Sequence, residues 1–265
     1  MTVLPPSGWR ECFVGLEAAR LARSPVWRGV EVPDGGGRPV LLIPGFLAGD
    51  GSLAVLTRWL RTVGYRTRRA GISINAACSE RACARLEVLL EELAAKHGRR
   101  VAIVGHSRGG VLAKGIAAAR PDLVSGIVTL AAPTVARLPA SPLMLGQMAT
   151  AAALDAGHFP GVASWRCLTG SCGRRFRRAL TGPFPGDVGF VSVYARSDPF
   201  ADWRACQDPA AELAEIDSSH VGMVFNAHAY ERIASALASF GGAGALPGGA
   251  SAVGRPGDRR DARAA

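Results

Sequence analysis

Residues 100–112 read Arg-Val-Ala-Ile-Val-Gly-His-Ser-Arg-Gly-Gly-Val-Leu, the stretch that most limits what this chain can become. Val101, Ile103 and Val104 form a β-branched apolar run that ends on Gly105. Ser107 follows two residues later, then Gly109 and Gly110, and the pattern continues at helical spacing. Strand, sharp turn and helix in that order hold a serine in strained backbone geometry. Side chains two positions either side of it would strike the neighbouring strand and helix, which explains glycine at both places. Such a turn pushes the Ser107 hydroxyl into the open. It also aims the first N–H groups of the next helix at negative charge developing there. A bare G-x-S-x-G is common by chance; its flanks make this one specific.

Around this turn the chain alternates apolar strands with amphipathic helices. Residues 39–44 (Pro-Val-Leu-Leu-Ile-Pro) are wholly apolar, as in a strand covered on both faces, and end in the Gly-rich loop 45–51. A helix is predicted over 52–63, with Leu53, Leu56, Leu60 and Val63 as its buried stripe. Residues 65–72 form a second strand. A helix capped by Ser79 carries Leu86, Leu89, Leu90 and Leu93 and ends near Gly98. Strands are expected over 100–105, 125–131, 189–195 and 212–216, with a closing helix from Val221 to about Phe240. Residues 8–22 predict an outer amphipathic helix with Phe13, Leu16 and Leu21 near one face. The expected fold class is α/β: a mostly parallel central sheet with helices on both faces.

At 265 residues the chain suits a single α/β domain, drawn here over 1–240. The alternation breaks between about 133 and 186, a proline-containing stretch expected to be an inserted cap over the site. Residues 241–265 contain almost no large apolar side chain and are expected to be a disordered tail. No apolar run approaches the roughly 20 residues of a membrane span. The first ten residues lack the basic and apolar regions of a secretory signal, so the expected compartment is the cytoplasm.

The formal charge is +10, almost all from arginine, with the sharpest cluster at Arg174, Arg175, Arg177 and Arg178. We read this as a solvated face. Without a recognition motif no nucleic-acid partner is expected, whereas transient contact with lipid stays open. The six cysteines make no C-x-x-C pair and have no histidine cluster, so no metal is expected, and no cofactor. Free buried thiols are the plain expectation. A disulfide among Cys167, Cys172 and Cys206 is the alternative, and oligomeric state is left open.

A serine hydroxyl needs a base to take its proton, and the base needs an acid to orient it. Both should sit in loops just after strands, at the carboxyl edge of a parallel sheet. Of the five histidines, only His220 follows the last strand and precedes the last helix. His97 ends a helix on the far side, His158 lies in the cap and His228 within the closing helix. His106, inside the turn, is expected to contribute nothing through its ring. Asp198, directly after the strand 189–195, is the first choice for the acid, with Asp202 second and Asp187 at the wrong edge. An oxyanion needs two fixed N–H donors: the Arg108 backbone, and Phe46 or its alternative Leu47 in the loop after the first apolar strand.

Pro-Gly-Phe at 44–46, Gly-His-Ser-Arg-Gly at 105–109, Ser-Asp at 197–198 and Ser-His at 219–220 resemble the α/β-hydrolases of the bacterial lipase and esterase type. The resemblance covers about 38–240. Pro44 departs from it, since many lipases carry His before the oxyanion glycine. The resemblance implies a serine hydrolase acting on carboxylic esters through Ser107, Asp198 and His220. A small hydrophobic ester or acyl substrate is suggested by Leu143, Met144, Leu145 and Met148 of the cap. Acyl transfer or thioester cleavage on the same fold, and a catalytically silent binding protein, are the alternatives.

Overall fold

The computed structural model describes residues 8–135, 146 and 173–243. Six strands form one sheet: β1 (Pro39–Ile43), β2 (Arg66–Arg69), β3 (Val101–His106), β4 (Val124–Leu130), β5 (Gly189–Tyr194) and β6 (Glu212–Glu215). Their order is β2-β1-β3-β4-β5-β6, and every pairing is parallel. Among the described residues the α-helices with defined bounds are α1 (Val14–Arg23), α2 (Ala54–Thr62), α3 (Ser79–His97), α4 (Arg108–Ala119), α5 (Arg174–Thr181), α6 (Trp203–Cys206) and α7 (Ala227–Ser239). The α/β class expected from the alternation is the observed one. None of these helices is long and apolar enough to cross a membrane.

The two-residue period of a strand sorts the core. Val40 and Leu42 of β1 pack into one apolar layer with α2 and α7, while Leu41 and Ile43 pack into the other with α3 and α4. That is why the run 39–44 is apolar at every position. The strand order reverses between β1 and β3, so their following loops diverge and leave a crevice at the carboxyl edge, where open α/β sheets hold their sites. Close packing behind the sheet needs two glycines that period reasoning passes over. A Cβ on Gly126 or Gly189 would overlap the Phe240 ring, which seals the layer under α7.

Several boundaries differ from the expectations. Cys78 rather than Ser79 stands at the N-cap of α3; Gly98 in left-handed geometry ends the helix as anticipated. The closing helix starts at Ala227, because the Asn226 side chain caps it by accepting from His228 and Ala229, and a short 3-10 turn (Gly222–Phe225) fills the preceding residues. β2 is a short, mostly exposed edge strand. In the N-terminal helix Phe13 and Leu16 are exposed and only Leu21 is buried, so its inward face is not the apolar one expected. The arginines at 174, 175, 177 and 178 are all exposed on α5, which docks on α4 by seating Phe176 against Gly115. Residues 136–145, 147–172 and 244–265 lie outside the described residues. Most of the expected cap, its Leu143, Met144, Leu145 and Met148, His158, Cys167, Cys172 and nearly all of the expected tail fall there.

One buried ion pair ties α4 to the loop after α6. Lys114 Nζ stands 2.5 Å from Asp208 Oδ2 and also donates to the Thr134 carbonyl at 3.3 Å. Removing one partner of such a pair strands the other charge in the interior. Asp208→Ala is therefore expected to lower unfolding stability by about 3–5 kcal/mol, read as a shifted urea midpoint at constant slope. A Lys114→Met/Asp208→Leu double variant should recover most of the loss; if it does not, burial of a lone charge is not the cause.

Candidate active site

Ser107 occupies the turn between β3 and α4 with φ 51° and ψ −122°, a conformation costly for any L-residue. The glycines around it are sterically required. A Cβ on Gly105 would come within 2.5 Å of the Gly109 and Gly110 backbone, and one on Gly109 would overlap the Ile43 carbonyl of β1. The turn is held by the Ser107 N–H, which donates to the Leu130 carbonyl at 2.7 Å, and by the Ser107 carbonyl, which accepts from Gly110 at 2.9 Å.

The loop after β1 closes on this turn from the opposite side. Gly45 is packed so that a Cβ would stand 2.9 Å from His106 Nδ1 and 3.4 Å from Ser107 Cβ. Asn75 governs the loop: its buried side chain donates to the Pro44 carbonyl at 2.7 Å, its N–H donates to Ala48 and its carbonyl accepts the Leu47 N–H at 3.2 Å. The Arg108 guanidinium donates to Asn75 Oδ1 at 3.2 Å and to the Ala77 carbonyl, and lies over the Phe46 ring. Of the two alternatives for a donor in this loop, Leu47 is thus committed to Asn75. The Phe46 N–H has no acceptor among the described residues.

His220 and Asp198 meet although 22 positions separate them. His220 Nδ1 stands 2.7 Å from Asp198 Oδ2, both side chains buried. A carboxylate only accepts, so this bond puts the ring proton on Nδ1 and leaves Nε2 as the basic atom. Asp198 Oδ1 accepts from the Phe200 and Ala201 N–H groups at 2.8 and 2.9 Å, so both carboxylate oxygens are occupied. Asp202 is spent elsewhere, capping α6 through Arg204 N, and Asp187 pairs with Arg100 on the far edge. His228 is exposed beside Glu231.

The His106 ring, expected to be idle, is not. Its Nε2–H donates to the His220 carbonyl at 3.0 Å, and the two rings lie 4.9 Å apart, with Phe200 on His220 at 5.2 Å. Burial, and secondarily the neighbouring His220, pushes the His106 pKa down to about 3. The unfolded chain then takes up a proton near pH 6.5 that the folded one refuses. The sign follows: this group weakens the fold as pH falls from about 6.5 toward 3 and is without effect above. His106→Gln should flatten the pH dependence of stability by up to about 1.4 kcal/mol per pH unit in that window, the value of one proton. An unchanged slope by chemical denaturation at pH 4, 5 and 6 would contradict this.

Among the described cysteines, Cys12, Cys83 and Cys206 are free thiols. Cys206 is therefore no member of the disulfide alternative; it is buried, and burial followed by nearby Asp198 raises its thiol pKa. No group of three potential metal ligands occurs among the described residues.

The fold recurs in solved structures. A metagenomic carboxyl esterase, MGS0156, aligns with a TM-score of 0.56 at 16% identity over 79% of this chain and 76% of its own. The mature Bacillus licheniformis lipase BlEst2 aligns at 0.54 and 16% over 77% and 92%, respectively. A structure from LipS and LipT, two metagenome-derived lipolytic enzymes, gives 0.55 and 15% over 78% and 96%. The family described as Alpha/beta hydrolase matches residues 52–155, which include the Ser107 turn. The chain has the α/β-hydrolase fold. No curated protein matches it by sequence. In this fold Phe46, Ser107, Asp198 and His220, all singled out from sequence, lie on loops at the carboxyl edge of the sheet, and Arg108 is the first residue of α4. Asn75, His106, Glu11 and Glu17 are the polar groups that sequence reasoning missed. Asn75 had one local cue, an amide within an otherwise small and apolar run; the others had none.

Proposed function

We propose that the protein is a serine hydrolase cleaving carboxylic esters through an acyl-enzyme. The observation that carries this reading is the buried 2.7 Å bond from His220 Nδ1 to Asp198 Oδ2, which leaves Nε2 as a base beside a serine turn. The Ser107 Oγ attacks the acyl carbon, forming the O–C bond while its proton passes to His220 Nε2 and the carbonyl π pair moves onto oxygen. The Phe46 and Arg108 backbone N–H groups stabilise that oxyanion, each worth about 3 kcal/mol in comparable enzymes. Collapse expels the alcohol, which takes the proton from His220, and water repeats the sequence on the acyl-enzyme. Asp198 orients His220 through its bond to Nδ1.

The test is labelling of the purified protein with a fluorophosphonate, followed by turnover of p-nitrophenyl esters of graded chain length. Expected are covalent modification at Ser107 and a burst of p-nitrophenol from acyl-enzyme accumulation. A folded protein that neither labels nor turns over any ester would be a binding protein on this fold. An added alcohol that diverts the acyl group into a new ester would make the protein an acyltransferase.

A further inference from the structure

We propose that Glu11 and Glu17, some 200 residues before His220, are positioning residues for that base; the assignment rests on the function proposed above. Glu11 lies in a 3-10 turn (Gly8–Phe13) and Glu17 in α1, and both side chains reach the loop between β6 and α7. The Glu11 carboxylate accepts from the His220 N–H at 2.8 Å and the Val221 N–H at 3.1 Å. Glu17 accepts from the Ser219 N–H at 3.1 Å, the Ser219 hydroxyl at 3.2 Å, the Ser218 hydroxyl at 2.7 Å and Asn226 Nδ2 at 3.1 Å. Three consecutive backbone N–H groups, 219–221, thus converge on two carboxylates. That is an anion-binding concavity filled by the protein's own acids.

The loop needs this support. It leaves β6, a four-residue edge strand with three exposed positions, and regular helix does not resume until Ala227. With Glu11 in place every polar handle of His220 except Nε2 is tied: N–H to Glu11, carbonyl to His106, Nδ1 to Asp198. Gly222 reports how close the fit is. A Cβ there would overlap the Glu17 carboxylate and the Ser219 hydroxyl, yet the Gly222 backbone itself is open to alanine because its φ is not positive. The glycine is there to admit Glu17.

The experiment compares wild type with Glu17→Gln, Gly222→Ala, Glu17→Ala and the Glu17→Ala/Gly222→Ala double variant, each confirmed folded by circular dichroism at the assay temperature. Either amide orientation in Glu17→Gln turns an NH2 toward donors, so the clamp opens. Misplacing a base by about 1 Å costs up to roughly 10²-fold in rate. We expect kcat on p-nitrophenyl butyrate and the rate of fluorophosphonate labelling to fall together by about 10- to 100-fold, with KM within about twofold of wild type. In the Glu17→Ala background Gly222→Ala should cost clearly less than it does alone, because the overlap with the carboxylate has gone and only that with the Ser219 hydroxyl is left. A core variant, Leu237→Ala, should lower the unfolding temperature without this kcat loss. Wild-type kcat in folded Glu17→Gln and Gly222→Ala, or fully additive losses in the double variant, would overturn the proposal. Should the Glu17 variants not fold, Glu11→Gln carries the same kinetic test. If the wild type neither labels nor turns over, the function itself is wrong and this role falls with it; an active wild type with unaffected variants removes the role alone.

Discussion

Ser107→Gly is expected to abolish ester turnover and, at the same time, to raise the temperature of unfolding. The two effects have separate causes. Loss of the nucleophile in comparable triads lowers kcat about 10⁶-fold. The backbone effect comes from φ 51° and ψ −122°, a region in which an L-residue costs about 1–3 kcal/mol and glycine does not. Glycine gives back about 0.5–1 kcal/mol through the greater freedom of the unfolded chain. The net gain is about 1 kcal/mol, or roughly 2–4 °C for a chain of this size. Calorimetry and a p-nitrophenyl ester assay on the same preparation read both quantities. Turnover within a hundredth of wild type would remove Ser107 from the mechanism, and a fall of several degrees would refute the strain.

On the proposed function Asp198→Asn should lower kcat by about 10⁴-fold while leaving KM and stability near wild type, as the corresponding change lowers kcat in serine-protease triads. The direction follows from the hydrogen bonds of this carboxylate. Two N–H donors, Phe200 and Ala201, hold one oxygen, so an asparagine keeps its carbonyl there and presents its NH2 to His220. Nδ1 must then accept, the ring proton moves to Nε2, and the base can no longer take a proton from Ser107. Asp202→Asn, which still offers an oxygen to Arg204 N at the start of α6, should leave kcat unchanged. Reversal of the two results, measured at one pH with both variants folded, would move the acid to Asp202.

The reach of sequence reasoning differs between these features for physical reasons. The glycines at 105 and 109 were legible because hard-sphere exclusion acts between atoms a few residues apart in one turn. Strands and helices were legible from apolar period, and the order in which loops follow parallel strands brought Asp198 and His220 into consideration as a pair. The inward face of α1 was misread for the opposite reason. Leu21 is buried in the apolar core as expected, but Glu17 faces inward onto Ser218, Ser219 and Asn226 while Phe13 and Leu16 stay exposed, so apolar period points the wrong way at those positions. The late start of α7 was missed because the Asn226 cap outweighs a helical pattern that begins earlier.

By itself the sequence determined the α/β alternation, the strained Ser107 turn and the rank order of the acid and base candidates. All of these rest on sterics and periodicity within a few residues or on chain order. The tertiary structure decided that Leu47 is bound to Asn75, that the His106 ring holds the His220 carbonyl, and that Glu11 and Glu17 hold the loop around it. It also paired Lys114 with Asp208 and seated Phe240 on Gly126 and Gly189. A buried donor must find an acceptor wherever packing brings one. Across 200 residues, only the completed fold chooses which.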